Sequence, residues 1–317
     1  MSKEYDVVAL GELLVDMAEG SLSDQGNMTF EACPGGAPCN VLGFLSRMGK
    51  ITGFIGKVGD DFLGHMLADT IKGLNIKSDG LVFDKENKTT LAFVHKKPDG
   101  DRDFSFYRNP GADMMLGWDD VNTELIASSR IFHFGTLSMT HEAIRMATKN
   151  AVAHAKENGC LVSFDPNLRE PLWNSLDEAK EQMLWGLNNC DVLKISDNEV
   201  EFLTGTADYE EGLNGILKMT TAKVVFMTLG PNGSIGYTQS SGMVRAEGVK
   251  VDSVVDTTGA GDTFMGSALN KLLERALDLN ISSEDMKSIL TYANLNASKI
   301  TQVKGALKAM GAIDFTK

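Results

Sequence analysis

The stretch Asp256-Thr257-Thr258-Gly259-Ala260-Gly261-Asp262 holds the residue types that phosphoryl transfer needs. It follows an apolar, β-branched run from Val249 to Val255, broken by Lys250, Asp252 and Ser253, and precedes a helix-like segment from Thr263 to Leu279. The pattern predicts a strand that turns through small residues straight into a helix. Amide N–H groups at a helix start lack intrahelical partners and favour negative charge. Gly259 and Gly261 leave room for a ligand to approach the backbone, and Asp262 adds a carboxylate at the same corner. An anion cradle beside a base is what moving a phosphoryl group onto a hydroxyl requires. A tight turn with a capping Asp is the competing reading of the same residues. The stretch is not a dinucleotide fingerprint, because the next glycine after Gly261 is Gly266, too late for G-x-G-x-x-G. A P-loop is also absent: Gly56-Lys57 is followed by Val58 rather than Ser or Thr.

The elements that must position this corner alternate between strand and helix. Strands are predicted over Asp6 to Leu10, Thr52 to Val58, Ile131 to Phe134, Cys160 to Phe164, Val192 to Ile195 and Lys223 to Thr228. Helices are predicted over Ala37 to Met48, Asp61 to Leu74, about His141 to Asn158 and Leu176 to Asn188, with another starting at Asn198 to Leu203. Such alternation predicts an α/β fold with a doubly wound, mainly parallel sheet flanked by helices, in which ligands sit at the carboxyl ends of the strands. One region departs from it. Thr89 to His95 and Asp101 to Tyr107 are β-type runs joined by Lys96-Lys97-Pro98-Asp99-Gly100, which has hairpin turn chemistry. An isolated hairpin is marginal. Pairing with Leu13 to Glu19 and Met28 to Glu31 would make a small sheet outside the main one, a lid able to exclude water from an activated phosphate. The chain reads as a single domain over 1–317, with the lid inserted from about 12–34 and 88–110.

Bulk properties narrow the partners. The 317 residues are 43% hydrophobic and 23% charged, ordinary for a soluble globular protein. The net charge of −13 disfavours nucleic acid and anionic membranes. It would also repel a nucleotide, so such a ligand has to be won locally. Cysteines 33, 39, 160 and 190 form no C-x-x-C pair, which points to reduced thiols and a cytoplasmic setting. No signal peptide or membrane-spanning run is seen. The five histidines show no metal spacing, and the sixteen methionines read as core filler.

A second glycine cluster, Pro34-Gly35-Gly36-Ala37-Pro38-Cys39-Asn40, opens a helix. With Gly49, Gly53 and Gly59 it resembles the amino-terminal signature of the ribokinase (PfkB) family of carbohydrate kinases, and Asp256 to Leu269 resembles that family's carboxy-terminal signature. Gly11 to Asp16, Phe106 to Met114, Phe164 to Arg169 with Leu172-Trp173, and Lys194 to Asp197 resemble the fructokinase branch. Cys39 departs from the small residue expected there. Ser196 departs from the Asn of an Asn-x-x-Glu that helps organise Mg²⁺ through water, although Glu199 fits.

The resemblance implies a ribokinase-like fold and transfer of the γ-phosphoryl of MgATP to the 6-hydroxyl of D-fructose. Asp262 would be the general base, and Gly259, Ala260 and Gly261 the anion hole. Asp16, Gly35, Gly36, Asn40, Arg108 and Arg169 would face the sugar. Lys194, Thr228, Gly230, Gly233, Asn294 and Gly305 would border the nucleotide. Glu199 would reach Mg²⁺ through water, and Asp256 and Thr258 would help bind K⁺. The family also implies a homodimer through the lid. Two other activities fit the same residues: a 2-dehydro-3-deoxygluconate kinase, whose substrate carboxylate Arg108 and Arg169 could bind, and a non-catalytic sugar-sensing regulator.

Overall fold

A computed structural model describes residues 3–96 and 102–315. Most of the predicted hairpin turn, residues 97–101, lies outside them. Among the described residues the strands form two sheets. The larger contains β1 (Tyr5–Leu10), β4 (Thr52–Gly59), β5 (Lys77–Asp84), β8 (Ser129–Gly135), β9 (Leu161–Asp165), β10 (Val192–Ser196), β11 (Val224–Thr228), β12 (Ser234–Thr238) and β13 (Gly242–Ala246). Its order is β13-β12-β11-β10-β9-β8-β1-β4-β5. Pairing from β11 through β5 is parallel; only β11–β12 and β12–β13 are antiparallel.

The helices are α1 (Ala37–Arg47), α2 (Phe62–Gly73), α3 (Thr123–Ala127), α4 (Glu142–Glu157), α5 (Leu176–Leu187), α6 (Asp197–Thr204), α7 (Tyr209–Met219), α8 (Ala260–Glu274), α9 (Ser283–Ile300) and α10 (Leu307–Met310). They cover both faces, which explains why Val7 to Leu10 of β1 is an unbroken apolar run rather than an alternating one. Val7 and Ala9 join the core layer built with α1, α8 and α9, while Val8 and Leu10 join the layer built with α4, α5 and α7. Successive side chains of a strand point to opposite faces, so both must be apolar here.

The smaller sheet has the order β3-β2-β6-β7, from β2 (Leu14–Glu19), β3 (Phe30–Gly35), β6 (Leu91–Lys96) and β7 (Arg102–Tyr107). The expected pairing is present, with shifted bounds: β6 begins at Leu91 rather than Thr89. The third strand begins at Phe30 rather than Met28 and runs on to Gly35, where Leu14 pairs with Gly35 and Asp16 with Cys33.

Two expectations next to the key corner are overturned. Residues 249–255 form no strand. The polar residues Lys250, Asp252 and Ser253 interrupt the run, and Val254 and Val255 are 60% and 49% exposed. Instead, the amides of Val255 and Asp256 both donate to the Thr301 carbonyl, pinning an irregular loop. The helix starts at Ala260 rather than Thr263 and ends at Glu274 rather than Leu279. Ala276 and Leu277 adopt left-handed backbone angles, which no right-handed helix can contain. Sequence reading also missed the β12–β13 hairpin, edge strand β5, and helices α7 and α9. Helix α9 had a usable signal: Met286, Ile289, Leu290, Ala293 and Ile300 are buried at helical spacing.

Candidate active site

Helix α8 begins abruptly because Gly259, its N-cap, is left-handed (φ 81°) and no side chain caps the first turn. A Cβ on Gly259 would lie 2.6 Å from the Ala306 Cβ, so both backbone angle and space require glycine. The Ala260 N–H donates to the Thr257 carbonyl at 3.3 Å, which removes it from the expected anion hole. The first-turn amides of Gly261 and Asp262 follow it, and they have no carbonyl one turn behind them within the helix. The helix is held by its buried face, including Phe264, Leu269, Leu272 and Leu273, with Phe264 edge-on to Phe226 of β11 at 6.1 Å between centroids. Full burial of such side chains contributes about 1.5–3 kcal/mol each.

Asp262 is the third residue of α8, not its cap, which removes the capping reading. It is 8% exposed, and its Oδ2 accepts a hydrogen bond from Asn40 Nδ2 at 2.7 Å. Burial pushes its carboxyl up; the Asn40 bond, Lys194 and Arg169 pull it back without cancelling the rise. Lys194, on the neighbouring strand end, is paired with Asp165 of the adjacent strand at 3.1 Å. Its Nζ lies 3.0 Å from where a Cβ on Gly261 would be. A helix N-terminus and an ammonium therefore converge, an arrangement that favours an anion between them. Burial pulls Lys194 down, yet Asp165, Glu199 and Asp262 outweigh it and keep the ammonium charged. Burial pushes Asp165 up, with Lys194 opposing.

Asp262, Asn40, Gly261, Lys194 and Arg169 line a cavity of about 780 Å³ at the carboxyl ends of the strands. One part of its wall includes Asp16, Gly36, Asn40 and Arg169, and the inner face of the small sheet closes it with Cys33, Val94 and Phe106. Gly36 (φ 126°) sits where a Cβ would strike the Glu12 carbonyl. Gly35 lies behind Asp16, with no room for a side chain against its carboxylate. A larger hollow of about 1140 Å³ lies at the opposite ends of the strands, beside Cys160, Asp191 and Lys223. We place the site in the smaller cavity, because doubly wound sheets bind at carboxyl ends and the buried Asp262 carboxylate and the helix N-terminus are there.

Asp256, Thr258 and Gly305 also border this cavity. Asp256 Oδ1 accepts from the Thr258 amide at 2.8 Å and Oδ2 from the Gly305 amide at 3.0 Å. That carboxylate ties the 256–258 loop to the 301–306 loop.

Several expected residues lie elsewhere. Arg108 is not on the cavity wall. It is buried, with Nε donating to Asp113 at 2.8 Å, Nη1 to Thr140 at 2.7 Å and Nη2 to the Leu137 carbonyl at 3.0 Å. Its guanidinium is occupied by the protein, so it anchors the 108–113 loop rather than contacting a ligand. Asn294 accepts from Ser234 at 3.0 Å and donates to the Ala246 and Glu247 carbonyls, fastening α9 to the β12–β13 hairpin. Thr228, Gly230 and Gly233 form the turn between antiparallel β11 and β12, outside the cavity wall. Glu199 Oε1 accepts from the Leu168 amide and Oε2 from the Ser196 amide, both at 2.8 Å. Ser196 in turn caps α6, so Ser196 and Glu199 form a reciprocal capping box, which gives the serine a physical reason to stand there. Among the described residues no three His, Cys, Asp or Glu side chains converge as a metal cage.

Two residues were missed. Asp165 has no short-range signal, because it meets Lys194 only across neighbouring parallel strands. Glu12 lines the cavity at 2% exposure, its Oε1 accepting from the Ala37 amide at 2.8 Å. Burial raises its carboxyl to about 7, with Arg108 opposing and Asp113 adding. His133 Nδ1 lies 2.8 Å from Ser163 Oγ, both buried. Burial and Lys194 lower the imidazole to about 3, a neutral core pair. The four cysteines are free thiols, with Cys39 fully buried. No helix among the described residues is long and apolar enough to cross a membrane.

A model of the pfkB family carbohydrate kinases matches residues 4–311. Probable fructokinase-2 of Arabidopsis thaliana is 43% identical over 307 residues, which cover 96% of this chain and 92% of the relative. The structure of the Xylella fastidiosa fructokinase with bound ATP superposes with a TM-score of 0.87 at 30% identity, covering 96% of this chain and 95% of that one. The Vibrio cholerae O395 fructokinase, solved with fructose, ADP and calcium, gives a TM-score of 0.85 at 32% identity and covers 96% of both chains.

Proposed function

The chain belongs to the pfkB family of carbohydrate kinases, and from that premise we propose that it transfers the γ-phosphoryl group of MgATP to the 6-hydroxyl of D-fructose. As the new O6–P bond forms, the bond from the γ-phosphorus to the bridging oxygen breaks and ADP leaves. Asp262 takes the O6 proton. An ordinary aspartate, near 3.9, cannot remove that proton early, but it can receive it late, which suits a loose transition state. The Gly261 and Asp262 amides and the Lys194 ammonium face the charge on the transferring group; one such donor is worth about 2.7–4 kcal/mol in other enzymes. Asp16, Gly36, Asn40 and Arg169 hold the sugar.

The observation that carries this reading is the convergence of base, open helix N-terminus and buried ammonium in one cavity. Bound fructose, ADP and calcium in the Vibrio cholerae relative support it. The sparse donor set fits a Mg²⁺ that arrives on the nucleotide phosphates and keeps most of its waters, with Glu199 nearby. When bound, the ion would supply charge neutralisation for the transferring phosphoryl group. Asp256 and Thr258 would border a K⁺ beside the anion loop. A sugar acid is disfavoured because Arg108, half of the expected carboxylate clamp, is bound to Asp113. A sugar sensor would have no use for a buried base aimed at a phosphate cradle.

A coupled ADP-release assay across fructose, 2-dehydro-3-deoxygluconate, ribose and glucose tests the assignment. Fructose should give the highest kcat/KM. Preference for the sugar acid would move the protein to the other kinase class, and ADP release with none of the four above background would remove fructose from the account.

A further inference from the structure

Asn40 does more than line the sugar pocket. It stands in the first turns of α1, whose N-cap is Gly36, and it is 3% exposed. Its Nδ2 donates to Asp262 Oδ2 at 2.7 Å. A carboxylate can only accept, so the amide nitrogen must be the end that faces it. The carbonyl end, Oδ1, is thereby turned away, and it is a buried acceptor with no partner in the protein. Buried acceptors are seldom left so without a reason. Both Asn40 and Asp262 border the cavity, and an O–H of the molecule that fills it would supply the partner this oxygen lacks.

We infer that Asn40 is the positioning residue of the base: it fixes Asp262 through Nδ2 while Oδ1 accepts a hydroxyl of the bound sugar, so that acceptor recognition and base orientation are one contact. The bond occupies Oδ2 and leaves Oδ1 of Asp262 for the incoming alcohol. The reading rests on the kinase assignment above and adds to it a link that the glycine-rich signatures do not supply.

The charge environment gives the inference a signature. The groups acting on Asp262 come from each element packed against it. They are Asn40 from α1, Lys194 from β10, Arg169 from the loop after β9, and Asp165 at the end of β9, whose own carboxyl Asp262 pushes up. Burial raises Asp262 and the Asn40 bond lowers it. Removing the donor therefore raises it further. The base then needs a higher pH to ionise, and the acid limb of kcat/KM for the sugar moves to higher pH. A residue that only bound sugar would raise KM and leave that limb in place.

The test measures kcat/KM for fructose against pH at saturating MgATP, for the wild type, Asn40→Ala and Asn40→Asp. Asn40→Ala should lose about 10–100-fold at pH 7, the scale of one hydrogen bond to a charged group, with its acid limb shifted up. Asn40→Asp keeps the shape but sets a second carboxylate against the first. Its limb should shift further, with partial recovery at alkaline pH. Either variant suffices should the other fail to fold, which thermal melting reports. An unchanged limb in a folded variant overturns the inference, including the case where only KM rises. Absence of fructose phosphorylation in the wild type would instead overturn the kinase assignment, so the two failures are separable.

Discussion

Glu12 shows how a single side chain can link the site to the stability of the whole protein. Its carboxyl keeps a proton up to about 7, against an ordinary glutamate value of 4.5. Between those values the folded chain binds a proton that the unfolded chain has released. Stability therefore falls as pH rises through that window, and the full effect is felt above about 7. At about 1.4 kcal/mol per unit the total is on the order of 3 kcal/mol. Glu12→Gln keeps an oxygen to accept the Ala37 amide but has no proton to lose. Its melting temperature relative to the wild type should rise between pH 5 and pH 8. A constant difference across that range would show that Glu12 is not titrating there. The same bookkeeping explains why the acids around Asp262 matter together: Asp165 is also pushed up by burial, and Lys194 is held charged among them. Asp262 and Asn40 were legible in the sequence because each sits in a short glycine-rich signature. Asp165 and the Arg108–Asp113 pair were not, because a sequence carries no mark of which charges will meet across neighbouring strands or inside one folded loop.

At the scale of elements, the site is a meeting of three: the start of α8, the start of α1 and the inner face of the small sheet. The two helix starts were readable from Gly-Ala-Gly and Gly-Gly, although α8 begins three residues earlier than its apolar pattern suggested. Glycine permits the left-handed cap at Gly259, and periodicity alone cannot register a cap. The run at 249–255 looked like a strand because valines alternate with polar residues; no neighbour pairs with it, so the pattern had nothing to express. The small sheet has two faces with different work. One borders the cavity through Asp16, Cys33 and Phe106. The other carries Phe30, Phe93 and Tyr107 in a chain of ring contacts, each pair 5.1 Å between centroids, with Tyr107 67% exposed. Exposed aromatic clusters on an edge sheet are suited to association. We propose a homodimer through this face. Light scattering should give twice the monomer mass for the wild type, and Tyr107→Asp should shift it toward the monomer. A wild type that is monomeric at assay and higher concentrations would contradict the proposal.

Across the whole molecule, a net charge of −13 has to coexist with a site for a polyanion. The structure reconciles them locally. The cavity wall carries Glu12, Asp16, Glu19, Asp256 and Asp262 as well as Lys194, Arg169 and Lys304, so the favourable contacts for an anion are concentrated where Lys194 meets the open end of α8. The parallel order of the main sheet was predictable from alternating elements, and it determines which end of the strands can hold the site. The antiparallel β12–β13 hairpin was not, and it is there that Asn294 and Thr228 find structural partners. The central claim is that Asp262, seated at the start of α8, receives the proton of the acceptor alcohol. The most direct measurement pairs fructose binding by calorimetry with single-turnover formation of fructose 6-phosphate, in the wild type and in Asp262→Asn. The account predicts that the variant binds fructose within a few-fold of the wild type and forms product about 10²–10⁴ times more slowly. Product formation at a near-normal rate in that variant would contradict it.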